Sequence, residues 1–246
     1  MEIIFAGCGE AFDELPNTSL LIRTDSAKVL LDCGYSVPPE LWKIEPDPSA
    51  LDLIYITHAH ADHYFGLPPV LGRMWVGGRR RPLTIMSQAA VITSFRGLMV
   101  YAYRSLGQNL EFPVEFVEVF EGCSIESHGF GFRFASTAHS APNLAIRVEN
   151  DGHAICYSGD GNFTDASREL YHGADLVVHE AFSFNPMPIH ACIPGVLAMA
   201  AEMGVRRAAL VHVERSVRRE RSALFAAMLA APVRCSLPQP GDVLIV

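Results

Sequence analysis

The chain has 246 residues, half of them hydrophobic, and a formal net charge of −8 at pH 7. That length is enough for a substantial core, and the composition is that of an ordinary globular protein. The acidic balance argues against broad electrostatic attachment to nucleic acid, and no apolar run approaches the ~18 residues of a membrane span.

The opening stretch "MEIIFAGCGEAF" sets Glu2 and Asp13 around a short apolar run with no basic segment before it. It reads as a first β-strand over 2–6 and not as a secretory signal. Strands over 19–24 and 27–34 follow, joined as a hairpin by the turn "DSA". A buried strand over 51–58, "LDLIYITH", delivers a histidine cluster at its C-terminal end. Helical patterns cover 64–76 and 88–106. Strands come near 114–119, 131–137, 143–149 and 153–158. The rest alternates: helix 164–172, strand 174–179, helix 193–204, strand 207–213, helix 217–230, strand 242–246. No linker, repeat or low-complexity segment interrupts this, so one domain over 1–246 is expected. The hairpin-rich opening and the mixing of strands with helices in each half predict an α/β fold. Two mixed sheets pack face to face with helices outside, a four-layer αββα sandwich.

Six cysteines (Cys8, Cys33, Cys123, Cys156, Cys192, Cys235) are scattered without a CxxC pair. Free thiols and a cytoplasmic location are the expectation. "GGRRRP" places Arg79, Arg80 and Arg81 in a Gly-rich loop. It reads as a solvated loop, or as a phosphate-contacting patch if the chemistry involves phosphate.

The stretch "YITHAHADHYFG" spends three of the chain's ten histidines, with an aspartate, inside six positions. At a strand end His58 and His60 can point the same way, because alternate residues share a face. Asp62 and His63 lie further on and can face a second position nearby. Neutral imidazoles with a carboxylate suit Zn²⁺, or another borderline divalent ion such as Mn²⁺ or Fe²⁺. One motif is too small for two metals, so further ligands must come from later strand ends. His139 in "FASTAHSAPN", Asp160 in "ICYSGDGN" and His212 in "AALVHVE" are the candidates, each at the end of an apolar run.

"THAHADH", a lone His, "SGD" and a strand-ending His together resemble the metallo-β-lactamase superfamily of dinuclear metallohydrolases. The resemblance runs over nearly the whole chain. It implies that His58, His60 and His139 hold one metal, that Asp62, His63 and His212 hold the other, and that Asp160 bridges them. Asp32 in "VLLDCG" resembles the superfamily's strand aspartate, and Asp52 its supporting carboxylate before the histidine motif. "VVHEAF" and "MPIHACIPG" supply Glu180 and His190, which together with "GLPPVL…RRRPLTIMS" look like the ribonuclease Z-like branch. There a Glu–His pair assists phosphodiester cleavage, with Glu180 orienting His190 and keeping it cationic.

The sequence also departs from that branch. His139 and Asp160 are 21 positions apart, which leaves no room for the long arm of transfer-RNA-processing members. Ala191-Cys192 replaces the usual Ser/Thr after the histidine of the pair, and "HVERS" lacks an Arg-Tyr after the last ligand. The implied protein is a compact phosphodiesterase with two divalent ions, Asp62 as proton acceptor, and Glu180 with His190 acting on phosphate. Its substrate would be a small phosphodiester, like those of the short cyclic-phosphate-cleaving members, or a nucleic-acid-derived one. tRNA and membranes are not expected partners, and a homodimer is left open. The rival readings are a metallohydrolase of another ester class (thioester, lactone or sulfate) and a non-catalytic binding or sensing protein.

Overall fold

Ile3 and Phe5 face one way along the first strand, and Ile4 and Ala6 the other; all four are buried. A strand that is apolar on both faces must be covered on both, and the whole architecture follows from that. The computed structural model describes the backbone throughout residues 1–246 and the side chains of all but residues 107 and 108. One seven-stranded sheet contains β1 (Glu2–Gly7), β2 (Ser19–Arg23), β3 (Lys28–Leu31), β4 (Leu53–Tyr55), β5 (Leu83–Ser87), β6 (Val114–Glu118) and β14 (Val243–Ile245). Its order is β14-β1-β2-β3-β4-β5-β6. The other contains β7 (Ser124–Ser127), β8 (Phe130–Ser136), β9 (Leu144–Asn150), β10 (His153–Tyr157), β11 (Leu176–Glu180), β12 (Arg207–Val211) and β13 (Arg234–Ser236). It runs β13-β12-β11-β10-β9-β8-β7.

The inner faces share one apolar layer in which Phe5, Ile22, Leu31 and Tyr55 meet Phe132, Ile146, Tyr157 and Val178. Truncating a ring such as Phe132 to Ala there costs about 3–5 kcal/mol. The outer face of the first sheet is covered by α1 (Val37–Ile44), α3 (Leu67–Val76) and α4 (Ala89–Ala102) through Leu41, Val70, Met74 and Phe95. That of the second is covered by α6 (Asp165–Tyr171), α7 (Ile193–Glu202) and α9 (Arg221–Leu229) through Tyr171, Val196, Met199 and Leu224. Three short helices, α2 (Ala61–Tyr64), α5 (Leu106–Asn109) and α8 (Arg215–Arg219), turn the chain between these layers. This is the expected αββα sandwich.

Both sheets change character partway across. β3 to β6 run parallel in the first and β10 to β13 in the second, whereas the remaining neighbours pair antiparallel. Parallel strands present their C-terminal ends to one rim, where ligands gather in open α/β sheets. His139 and Asp160 lie beyond β8 and β10, and the β9–β10 hairpin takes up most of the chain between them. No arm leaves the fold there.

Four elements escape the periodicity. α1 opens on Val37-Pro38-Pro39, and prolines in a first helical turn are tolerated because their missing N–H groups would have no partner there. β5 is a fully buried five-residue run without alternation. β7 and β13 are short. The helix expected over 88–106 ends at Ala102 and resumes as α5 from Leu106, and that over 64–76 divides into α2 and α3.

Within the arginine run Arg79 departs from the solvated-loop reading, whereas Arg80 and Arg81 are exposed. Arg79 is completely buried, and its guanidinium donates to the carbonyls of Leu51 at 2.8 Å, Pro82 at 2.5 Å and Arg81 at 2.9 Å. Arg80 pairs with Glu111 and Arg81 with Asp52. Asp52 itself caps the Lys28 N–H at 2.8 Å, just before β4 begins. That is the opposite end of the strand from His58, so Asp52 does not support the histidine motif. All six cysteines are free thiols, and no helix of the described residues is long and apolar enough to cross a membrane.

Candidate metal centre

Beyond β4 the chain runs on through Thr57 to His58 and His60, then coils into the single turn of α2 that carries Asp62 and His63. His139 stands beyond β8, Asp160 beyond β10, and His212 directly after β12. These seven side chains form two groups that share Asp160. In the first, His60 Nδ1 lies 3.0 Å from His58 Nε2 and 3.1 Å from His139 Nε2. Asp160 Oδ2 is 3.9 Å from the former and 3.7 Å from the latter. In the second, Asp62 Oδ2 is 3.3 Å from both His63 Nε2 and His212 Nε2. Asp160 Oδ1 is 3.2 Å from His63 Nε2 and 3.5 Å from His212 Nε2. Asp160 thus turns one oxygen to each group.

The donor sets fit a pair of divalent ions. Four ligands at 2.0–2.1 Å from zinc in a tetrahedron lie roughly 3.3 Å apart, close to the separations found here. His63 Nε2 and Asp160 Oδ1 are buried polar atoms without a hydrogen-bond partner, a costly state that a cation would relieve. Ring orientations agree. His139 Nδ1 donates to the Ile189 carbonyl at 2.9 Å, and His63 Nδ1 donates to Asp32 Oδ2 at 2.7 Å. Each contact fixes the tautomer that leaves a lone pair on Nε2 for a metal. Asp32 also accepts from Thr57 N and Tyr157 Oη, both at 2.8 Å, and from Thr57 Oγ1 at 2.9 Å.

Backbone strain is concentrated here. Two of the four non-glycine residues with positive φ are Asp32 (59°) and His212 (53°). His212 is held in that conformation by its N–H bond to the Cys8 carbonyl at 3.0 Å, and Arg218 Nη2 donates to the same oxygen at 2.8 Å. Gly159 and Gly161 flank Asp160 at φ 58° and 110°. A Cβ on Gly161 would come 2.5 Å from Thr137 Oγ1, so "SGDG" is what lets the carboxylate stand between the two groups.

Among themselves these side chains shift one another's proton affinities. Burial would raise the Asp62 pKa, but the His63 charge and hydrogen bonds from His212 and His63 hold it well below the carboxylate range. Burial would lower His212, yet Asp160, the Asp62 hydrogen bond and Glu180 raise it to about 9. His63 is raised in the same way, burial being outweighed by Asp160, Asp32 and Asp62. His58 moves well below the usual range through burial and the neighbouring His63.

Glu180 ends β11 fully buried, and His190 lies in the loop before α7. His190 Nδ1 is 3.0 Å from Glu180 Oε2 and 3.2 Å from Oε1. Glu180 Oε1 also accepts the Gly161 N–H at 2.6 Å and the Ala191 N–H at 3.2 Å. One carboxylate therefore ties the loop after Asp160 to the segment bearing His190. Burial lowers the His190 pKa, but the Glu180 hydrogen bond and charge raise it overall. The His190 ring lies 5.1 Å from that of His139 and 6.2 Å from that of His212, at the edge of both groups.

The seven ligand candidates and the Glu180–His190 pair meet at this rim, with Asp32 supporting them. Sequence reasoning missed Asn143, whose Oδ1 accepts the Asp160 N–H at 3.2 Å while Nδ2 donates to Thr137 Oγ1 and the Ser158 carbonyl. It also missed Arg218 and Phe182. None of the three carries a local signal; only the fold brings them here.

A family model described as "Anti-Pycsar protein Apyc1" matches residues 1–230. Ribonuclease Z of Methanosarcina acetivorans is 24% identical over 87% of each chain. Among solved structures, the metallo-β-lactamase fold protein YhfI from Bacillus subtilis is similar with a TM-score of 0.82 at 20% identity. That likeness covers 99% of this chain and 98% of that one. The short form of human tRNase Z (ELAC1) gives 0.78 at 22% identity over 100% and 99%.

Proposed function

The chain belongs to the Apyc1 anti-Pycsar family, in the metallo-β-lactamase superfamily, and on that premise we propose that it is a dinuclear metal-dependent phosphodiesterase of small substrates. The observation that carries this reading is the Glu180–His190 pair at the edge of a double donor set. A hydrolase of thioesters or lactones needs the metals but, its substrate being neutral, does not depend on a non-ligating cationic imidazole. Phosphate, which carries negative charge throughout, does.

His58, His60, His139 and Asp160 would hold one ion, and Asp62, His63, His212 and Asp160 the other. Zinc is the resident ion we propose; two such ions would supply a hydroxide nucleophile near neutral pH and offset charge on the phosphoryl oxygens. Asp62, ionised at all physiological pH values, would accept the proton that the attacking water loses. His190 presents Nε2 while Glu180 engages Nδ1, and either stabilises the phosphoryl charge or protonates the leaving oxygen. Glu180 never meets substrate; it orients the ring and keeps it charged.

Ribonuclease Z relatives are named for RNA cleavage, but the compact β9–β10 hairpin and the net charge of −8 favour a small or cyclic phosphodiester over a folded tRNA here. The test combines elemental analysis with a panel of bis-p-nitrophenyl phosphate, a cyclic nucleotide, a precursor tRNA, a thioester and a lactone. The expected result is close to two divalent ions per chain, with hydrolysis confined to the small phosphodiesters. Turnover of the thioester or lactone alone would transfer the reading to another ester class. Full metal content without turnover of any substrate would favour a sensing role.

A further inference from the structure

Glu180 grips His190 along one edge only. Its hydrogen bonds fix where Nδ1 lies, but an imidazole held at one corner can still swing about that contact and aim Nε2 elsewhere. What limits the swing is a ring on its face. Phe182 lies with its centroid 4.6 Å from that of His190 and its plane only 21° away, an offset stack. His190 is in turn nearly parallel to His212, at 17° and 6.2 Å. Phe182 also stands 6.2 Å from the His212 ring, tilted by 38°, so the three rings form a triangle in which only the Phe182–His190 side is closely stacked.

Phe182 is itself pinned at both backbone groups. Its N–H donates to the Ala191 carbonyl at 2.9 Å, beside His190, and its carbonyl accepts the Glu214 N–H at 2.9 Å, two residues beyond His212. The ring does not join the apolar clusters: its neighbour Phe184 packs against the outer core of the second sheet, whereas Phe182 does not. Its closest ring contact is the stack on His190, with His212 further off and tilted.

We propose that Phe182 is a positioning residue for His190, its face setting the plane in which Nε2 is presented to a phosphodiester. The inference rests on the reading of His190 as the phosphate-facing group, and it adds the residue that makes that group's geometry reproducible. An aromatic pair of this kind is worth about 0.5–1.5 kcal/mol, so its loss should lower kcat by roughly 2- to 12-fold, with KM little changed.

The experiment compares Phe182→Leu, which keeps apolar bulk but loses the flat face, with Phe182→Tyr, which keeps the face. Each is made alone and with His190→Ala, in zinc-loaded protein carrying isotopically labelled histidine. In Phe182→Leu the His190 ring protons should move downfield as the ring current disappears. kcat on a small phosphodiester should fall by the stated factor at full metal content, and Phe182→Tyr should restore both. With His190→Ala already present, Phe182→Leu should cost nothing more. Unmoved His190 resonances in Phe182→Leu would overturn the proposal, as would the same kcat loss in the His190→Ala background. If His190→Ala alone keeps full activity, the phosphate role of His190 falls, and a change in the Overhauser contacts of the His190 ring to His139 and His212 in Phe182→Leu, or its absence, still decides whether Phe182 sets the ring plane.

Discussion

Asp32 Oδ2 accepts the His63 Nδ1 proton at 2.7 Å, and that contact aims His63 Nε2 at Asp62 and Asp160. The same carboxylate collects Thr57 and Tyr157, so one buried group with strained backbone organises the loop that bears the histidine motif. Asp32→Asn keeps the shape but turns an N–H toward one of these donors. Affinity at the Asp62/His63/His212 position should fall 10- to 100-fold, the usual effect of losing such a supporting carboxylate. The His58/His60/His139 position should lose less. Chelator competition resolves the two steps, and unchanged affinity at both would remove Asp32 from this role.

Arg79 gives the second prediction. Arg79→Ala leaves the buried Leu51 carbonyl and the part-buried Pro82 carbonyl without this donor and opens a void, a loss of about 3–5 kcal/mol. Arg80→Ala removes only an exposed ion pair, worth about 0–1 kcal/mol. Thermal unfolding should separate the two clearly, with KM of the surviving folded Arg79→Ala protein unchanged. A higher KM at unaltered Tm would favour phosphate contact by this loop.

The contrast between Arg79 and the histidine motif shows what could be read in the chain. His58, His60, Asp62 and His63 are neighbours in sequence, and their spacing at a strand end was enough to assign them to two adjacent groups. His139, Asp160 and His212 were visible because each ends an apolar run. Arg79 was not, because a guanidinium in a Gly-rich loop looks solvated until the carbonyls of Leu51 and Pro82 close over it. Asp52 misled for a geometric reason: six extended residues span roughly 20 Å, so a carboxylate near the motif in sequence stands at the far end of its strand. Asp32, further away in sequence, was the one the fold brought close. Phe182 and Asn143 act across strands, and no local pattern marks such pairings.

Metal uptake should displace protons. In EDTA-stripped protein His212 carries a pKa raised to about 9, and His63 is raised too, so both rings are charged at pH 7. A histidine raised above its unfolded value of about 6.5 stabilises the fold fully below that pH and loses this contribution as pH climbs through the folded value. The stripped protein should therefore lose Tm between about pH 6.5 and 9. Metal-loaded protein should behave oppositely on the acid side, releasing its ions below about pH 6 as ligand histidines protonate. Calorimetric titration with zinc at pH 7, in buffers of different ionisation enthalpy, should report about two protons released. No release would show that these rings are neutral before the metal arrives.

His190 and Glu180 give the prediction that decides the reaction class. The seven other side chains complete both donor sets, so His190→Ala should leave metal content unchanged while kcat on a phosphodiester falls by roughly 10²–10³, the range for losing one transition-state donor or general acid. Glu180→Ala is a poor probe, because it also strips the Gly161 N–H of its acceptor one residue from Asp160 and should disturb the metals. Glu180→Gln keeps an oxygen for Gly161 and Ala191 but sets an uncharged group against His190 Nδ1. It should lower kcat at full metal occupancy, by less than His190→Ala. The pair Glu180→Gln with His190→Ala should be little worse than His190→Ala alone, since the carboxylate acts only through the ring. Metal loss in His190→Ala would mean that the ring belongs to the donor set. Full phosphodiesterase activity in the same variant, with both metals present, would return the protein to the wider class of metallohydrolases that act without a second imidazole.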